Sequence, residues 1–205
     1  MRPPRFLLIL ALAIAAPVAS APAVATEQVA PVTAADRSIG RADAPVTVIE
    51  YGSFACHLCA DWHELVYPGF KARFIDTGQV RFVFRNLPTP PDEMSLPAHA
   101  LARCAAPEKF FDVAARLMHG QAAVLRGGTL DAWYAPAIAV SGRTRAQIDA
   151  CAATPPTRAA IARDIASANA ADVRNTPSFF VNGRRVTDRS LGGLEVAIRA
   201  AAAGR

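Results

Sequence analysis

Residues 46–51 read Val-Thr-Val-Ile-Glu-Tyr, Gly52 and Ser53 stop the run, and a Cys-x-x-Cys pair, Cys56 and Cys59, follows at once. A β-branched, almost unbroken apolar run of this kind describes a strand covered on both faces. The cysteine pair therefore falls where a buried strand hands over to the next element. Trp62, Leu65 and Val66 give that element an apolar side, which predicts a helix from near Cys56 towards Phe70, kinked at Pro68. Residues 80–85 alternate in character and predict a second strand after Gly78. Strand, helix and strand in this order form a βαβ unit with a right-handed crossover.

The remainder of the chain changes period twice. From about residue 92 to 171 the signals are helical: Leu96, Ala100, Leu101 and Cys104 share one face, and Phe110, Phe111, Ala114 and Leu117 share another. Leu130, Trp133, Ile138 and Ile148 continue the pattern, Gly127-Gly128 and Pro155-Pro156 interrupt it, and Ile161, Ile165 and Ala168 mark a longer helix. Ser178-Phe179-Phe180-Val181 then reads as a short strand. Asn182-Gly183 is a strong hairpin signal, because both residue types accept positive φ. Arg184-Arg185-Val186 is the return strand, and Leu191, Leu194 and Ile198 give a last amphipathic helix. The expectation is an α/β chain: βαβ (45–91), an inserted helical subdomain (92–171), and ββα (172–205).

Arg2 and Arg5 precede an apolar run over residues 6–16 that is short for a membrane span, and Ala23-Val24-Ala25 supplies small residues for cleavage. Residues 1–25 are therefore read as a signal peptide and 26–44 as a leader segment; an uncleaved anchor is the alternative. The formal charge is +5, of which Arg2 and Arg5 contribute two. No block of Lys and Arg is interleaved with aromatic residues, so nucleic-acid binding is not expected.

The chemistry expected of the cysteine pair follows from its place. The first N–H groups of a helix lack partners, and the dipole end there is positive. A Cys56 thiolate is stabilised by them, which stabilises the reduced form and makes the disulfide a better oxidant. Cys56 is the expected nucleophile, and Cys59, one turn further in, the resolving thiol. His57 stands beside Cys56 as a tuning cation or donor, or as a plain surface residue. Glu50 is a buried acid able to move the Cys59 proton, or an exposed strand-end glutamate. Pro177 marks the start of a strand, since it cannot donate to the ladder. Sulfur carries the electrons, so no cofactor is expected.

Cys104 and Cys151 both fall in the helical block. In an oxidising compartment they are expected to pair as a structural disulfide, the alternative being two buried free thiols. Zinc on Cys56, Cys59 and His63 is a weaker reading, because a tetrahedral site usually wants two close pairs. No metal is expected.

Glu50-Tyr51-Gly52-Ser53-Phe54-Ala55-Cys56-x-x-Cys59, together with Asn175-Thr176-Pro177-Ser178-Phe179-Phe180-Val181-Asn182-Gly183, resembles the DsbA-like family of thiol–disulfide oxidoreductases of the bacterial periplasm. The resemblance runs from about Ser38 to the C-terminus. It implies a thioredoxin fold with a helical insertion, Cys56 forming the mixed disulfide, Cys59 resolving it, and Glu50 at the family's buried acidic position. It also implies a cis Pro177 across from the cysteines, with Thr176 offering backbone hydrogen bonds to an extended substrate; base rates alone favour trans. His57 and Leu58 stand where well-known members carry Pro and His, so a redox potential is not carried over. Threonine before the proline is also similar to isomerase-type relatives, whose dimerisation domain residues 26–44 are too few to build; a monomer is expected. The function expected is a periplasmic dithiol oxidase acting on reduced exported proteins and recycled by a membrane redox partner. A reductase or isomerase is the alternative, and a non-catalytic metal-binding or interaction module the more distant one.

Overall fold

The two apolar strands around the cysteine pair run side by side at the centre of a five-stranded sheet. The computed structural model describes residues 29–204. The strands are β1 (Arg37–Ile39), β2 (Val46–Gly52), β3 (Val80–Asn86), β4 (Ser178–Val181) and β5 (Arg184–Val186), in the order β1-β3-β2-β4-β5. β2 pairs with β3 in parallel, Glu50 lying opposite Phe84. The other pairings are antiparallel. Asn182 and Gly183 both take positive φ, 45° and 82°, and make the tight turn between β4 and β5.

The helices are α1 (His57–Leu65), α2 (Tyr67–Phe70), α3 (Asp92–Cys104), α4 (Phe110–Leu125), α5 (Leu130–Ala139), α6 (Arg145–Ala152), α7 (Pro155–Ala170) and α8 (Leu191–Ala203). Threonine and serine side chains open three of them. Thr129 and Ser190 cap α5 and α8, and Thr144 and Gln147 form a capping box on α6.

Because successive strand residues face opposite sides, β2 divides its side chains between two cores. Val46 and Val48 join Phe82, Phe179 and Val181 against Trp62, Phe70, Leu194 and Ile198, from α1, α2 and α8. Ile49 and Tyr51 join Val83 and Phe180 against Ala168 of α7 and Val173 beyond it. A third cluster, built by α3–α6, reaches over Phe54, Cys59 and Phe84. The helices between β3 and β4 thus pack directly onto the segment that carries the cysteine pair. Burying each of these large apolar side chains is worth about 1.5–3 kcal/mol.

Three features differ from the sequence reading. The helix after Cys56 does not run through to Phe70: α1 ends at Leu65, and α2 restarts with Pro68 in its first turn. Pro68 has no N–H to give to the carbonyl one turn back, so the chain restarts rather than kinks. Leu65 and Leu96, which the pattern places on apolar faces, are 79% and 42% exposed. In α3 the inward places beside Met94, Ala98 and Leu101 go to Ser95 and His99, which find partners in the Thr89 N–H and the Asn86 side chain. The stretch read as a leader supplies β1 and a buried ion pair, Asp36 with Arg85 at 2.9 Å. Arg85 also donates to the Tyr51 hydroxyl and the Pro31 carbonyl, which ties residues 31–36 to the sheet. The reading of residues 1–25 lies outside the described residues.

Candidate active site

Cys56 is the N-cap of α1, with extended backbone (φ −91°, ψ 117°), and Cys59 sits one turn inside. The chain between them and β2 is held from several directions. Ser53 Oγ accepts from the N–H groups of Ala55 and Thr89. Gln121 of α4 donates to the Phe54 carbonyl at 2.6 Å. Phe54 stacks on Phe84 with ring centroids 5.3 Å apart and lies 4.6 Å from the His99 ring. The first turn of α1 is therefore presented by a braced loop. At the other end Trp62 Nε1 donates to the Arg189 carbonyl, which fastens α1 to the segment before α8.

The two sulfurs have opposite surroundings: neither is in a disulfide, and Cys56 is partly exposed while Cys59 is buried. Cys56 Sγ lies 3.4 Å from the Thr176 carbonyl oxygen, to which its thiol form donates. The pKa of Cys56 falls from 9.0 to about 5. The largest cause is the Cys59 thiol donating to the Cys56 sulfur. The Thr176 side chain and the N–H groups of Cys59 and Leu58 add to it, and partial burial works against it. Cys56 makes no formal side-chain cap bond, so these N–H groups act on the sulfur as oriented dipoles. Cys59 is pushed well above 9.0, first by burial, then by the facing Cys56 sulfur and the charge of Glu50. One sulfur is thus a thiolate at neutral pH and its neighbour holds its proton.

Of the two placements open to Glu50, the structure shows the buried one: it is 0% exposed, on the β2 face that looks towards α1. His63 of α1 reaches it, Nε2 to Oε2 at 2.9 Å. Residue 52 is glycine where a Cβ would stand 2.6 Å from Phe84 and 2.9 Å from Glu50 Oε1, so the space beside the carboxyl exists because no side chain fills it. The Thr176–Pro177 peptide is cis, as is Pro90–Pro91. Arg189 donates to the Pro177 carbonyl at 3.3 Å, holding that loop beside the cysteines.

Cys56, Cys59, Thr176, Pro177 and Glu50 are brought together here. His57 is exposed, makes no hydrogen bond among the described residues, and is not among the main causes of the Cys56 shift. Cys104 and Cys151 stand apart as a disulfide with Cα atoms 5.8 Å apart. Among the described residues no group of three or more His, Cys, Asp or Glu is placed to hold a metal ion. The sequence reading missed Gln121, Ser53 and the bond between His63 and Glu50. Gln121 had a signal, a polar residue on the apolar stripe of Phe110, Ala114, Leu117 and Met118; Ser53 had none.

The family model described as Thioredoxin matches residues 33–200. The chain belongs to the thioredoxin family. Among solved structures this family member is similar to oxidised BdbD from Bacillus subtilis, with a TM-score of 0.75 at 20% identity over 86% of this chain and 98% of that one. It is also similar to alpha-DsbA1 from Wolbachia pipientis, with a TM-score of 0.73 at 23% identity over 85% of this chain and 94% of that one. At these identities the likeness is one of fold: a thioredoxin fold with helices set between its halves. A Bacillus cereus protein named as a probable disulfide bond formation protein D is 44% identical over 52 residues, 25% of this chain and 24% of that protein. The chain thus spans about a quarter of the length of these curated Bacillus relatives.

Proposed function

We propose that this thioredoxin-family chain is an exported thiol–disulfide oxidoreductase that works as a dithiol oxidase, donating a Cys56–Cys59 disulfide to reduced exported proteins. The observation that carries the reading is the placement of the two sulfurs: Cys56 partly exposed at the start of α1, 3.4 Å from the Thr176 carbonyl, and Cys59 buried one turn inside. That placement lowers the Cys56 pKa and raises that of Cys59.

In the reaction a substrate thiolate attacks Cys56 Sγ of the disulfide. The Cys56–Cys59 bond breaks, its electron pair leaves on Cys59, and Glu50 supplies a proton to that sulfur. A second substrate thiolate then attacks the substrate sulfur of the mixed disulfide, and Cys56 leaves as a thiolate. Two substrate thiols are oxidised and the protein's disulfide is reduced. The low Cys56 pKa makes it a good leaving group and favours the reduced protein. With part of Cys56 facing water, a quarter to a half of the shift, about 1.5–3 kcal/mol, is a fair share to retain. That moves the couple roughly 30–60 mV towards the oxidising end.

Thr176 and the cis Pro177 would flank an extended substrate chain, the Thr176 carbonyl accepting its N–H. The positive start and apolar run of residues 1–16, with small residues before 26, support export to the periplasm and cleavage near Ala25. A membrane redox partner would reoxidise the dithiol, and the working unit would be a monomer with residues 92–171 as the inserted subdomain. In cells the oxidase reading expects Cys56–Cys59 mostly as disulfide, and the purified disulfide form oxidising a reduced protein substrate. A Cys56→Ser variant with equal activity, or a potential as reducing as thioredoxin's, about −270 mV, would overturn the reading.

A further inference from the structure

Glu50 and His63 form a buried pair, 0% and 5% exposed at the side chain, with Nε2 to Oε2 at 2.9 Å. Glu50 Oε1 is buried and has no hydrogen-bond partner among the described residues. Only one oxygen of the carboxyl is therefore engaged, and the engaged one meets a titratable ring.

A carboxyl in an apolar cluster exchanges protons with water only through groups that can carry them. The neighbours of this pair leave one such group. Tyr67 of α2 has its ring 5.0 Å from the His63 ring, but burial and the charge of Glu50 push its phenol up, so it keeps its proton. Trp62 and Phe84, 5.1 and 6.3 Å away, carry no exchangeable acid. On β3, Arg85 is engaged with Asp36. α4 packs against α1, and of its charged and titratable side chains Asp112 pairs with Lys109, while Arg116 and His119 make no hydrogen bond to His63. On α1 itself Asp61 and Glu64 are exposed, and Cys59 is the group to be served. The slight exposure of the pair is all on His63.

We propose that His63 is the positioning residue that holds Glu50 in place and exchanges its proton with water, so that Cys59 can be protonated or deprotonated in each turnover. The inference rests on Glu50 being the acid–base partner of Cys59. When the Cys56–Cys59 bond breaks, Cys59 takes a proton from Glu50. Glu50 then takes the Nε2 proton of the His63 imidazolium, whose other proton came from water at Nδ1. One proton passes from water to Cys59, and no electron passes through the ring. In the reverse step, when Cys59 resolves a mixed disulfide, the same proton leaves by the same route.

The test mixes the reduced protein with oxidised glutathione and follows, by acid quench and mass spectrometry, the Cys56–glutathione mixed disulfide closing to Cys56–Cys59. His63→Gln keeps an N–H donor for Glu50 but carries no proton. Closure in this variant is expected to slow about tenfold near neutral pH, with a changed pH–rate profile, while the Cys56 thiolate titration is unmoved. Glu50→Gln is expected to slow it at least as much. A slow Glu50→Gln beside a His63→Gln with wild-type rate and profile overturns the role of His63 and leaves that of Glu50 standing. Wild-type rates in both overturn both. Should His63→Gln fail to fold, the ring nitrogen shifts of His63 in the unmodified protein decide. They are expected to differ between the disulfide and dithiol forms, because one passage of the proton moves the ring hydrogen from Nε2 to Nδ1, and a ring identical in both forms overturns the proposal.

Discussion

Replacing Cys104 and Cys151 together by alanine removes the bond between the end of α3 and α6, and its cost can be worked from the chain. The cysteines are 47 residues apart. Closing a loop of that length removes about 14 cal/mol/K from the unfolded chain, or about 4 kcal/mol at room temperature. Cys104 is also 1% exposed, inside the cluster that reaches over Cys59 and Phe84, so lost packing adds to the entropic share. Real bridges return less than the model, and a loss of roughly 2–5 kcal/mol is expected. Urea unfolding followed by circular dichroism measures it, on a Cys56→Ser, Cys59→Ser background so that no other disulfide changes. With an m-value of about 2 kcal/mol/M the midpoint falls by roughly 1–2.5 M. The m-value itself should rise, because an uncrosslinked denatured chain exposes more surface. A midpoint lowered by less than about 0.25 M, or two alkylatable thiols at these positions in the untreated native protein, would refute the reasoning.

Two further outcomes follow from single residues. Gly52→Ala drives a Cβ to within 2.6 Å of Phe84 and 2.9 Å of Glu50 Oε1, so it should cost about 1–3 kcal/mol in urea unfolding, and a neutral result would mean that the wall beside Glu50 is soft. His99 is wholly buried, and desolvation lowers its pKa from 6.5 to about 3. The unfolded chain therefore takes up a proton at His99 as pH falls through 6.5 while the folded chain does not until about 3. Over that window acid destabilises the fold by about 1.4 kcal/mol per pH unit from this residue. Above 6.5 its contribution is complete. Stability measured against pH in wild type and His99→Gln should differ in slope across the window, and parallel curves would contradict the burial of a neutral ring.

The fold was legible where one period governed a whole segment. β2, the hairpin turn at Asn182-Gly183 and α8 all follow from local pattern, because both sheet faces are covered and both turn residues accept positive φ. β1 was not legible: three residues show no period, and the strand exists because Arg85 recruits Asp36 and Pro31 from a distant part of the chain. On α3, Leu101 and Cys104 face the core as the pattern predicts, and Leu96 does not. Ser95 and His99 occupy the core only because Thr89 and Asn86 offer partners, and that pairing cannot be seen along the helix. In the site, Cys56 and Cys59 follow from strand-then-helix logic. The contribution of Thr176 depends on a loop more than a hundred residues away, and enters the reading only through the family resemblance. His63 was visible as a histidine one turn beyond Cys59. Its partner was not, because only the packing of α1 on β2 brings it to Glu50.

The most direct test is the ultraviolet absorbance of the thiolate in the reduced protein, titrated with pH and corrected with Cys56→Ser. A midpoint near 5 for the Cys56-dependent signal is expected, with Cys59 silent until far above 9. A Cys56 midpoint at about 8.5, the value of an unassisted thiol, would mean that the start of α1 does not stabilise this sulfur.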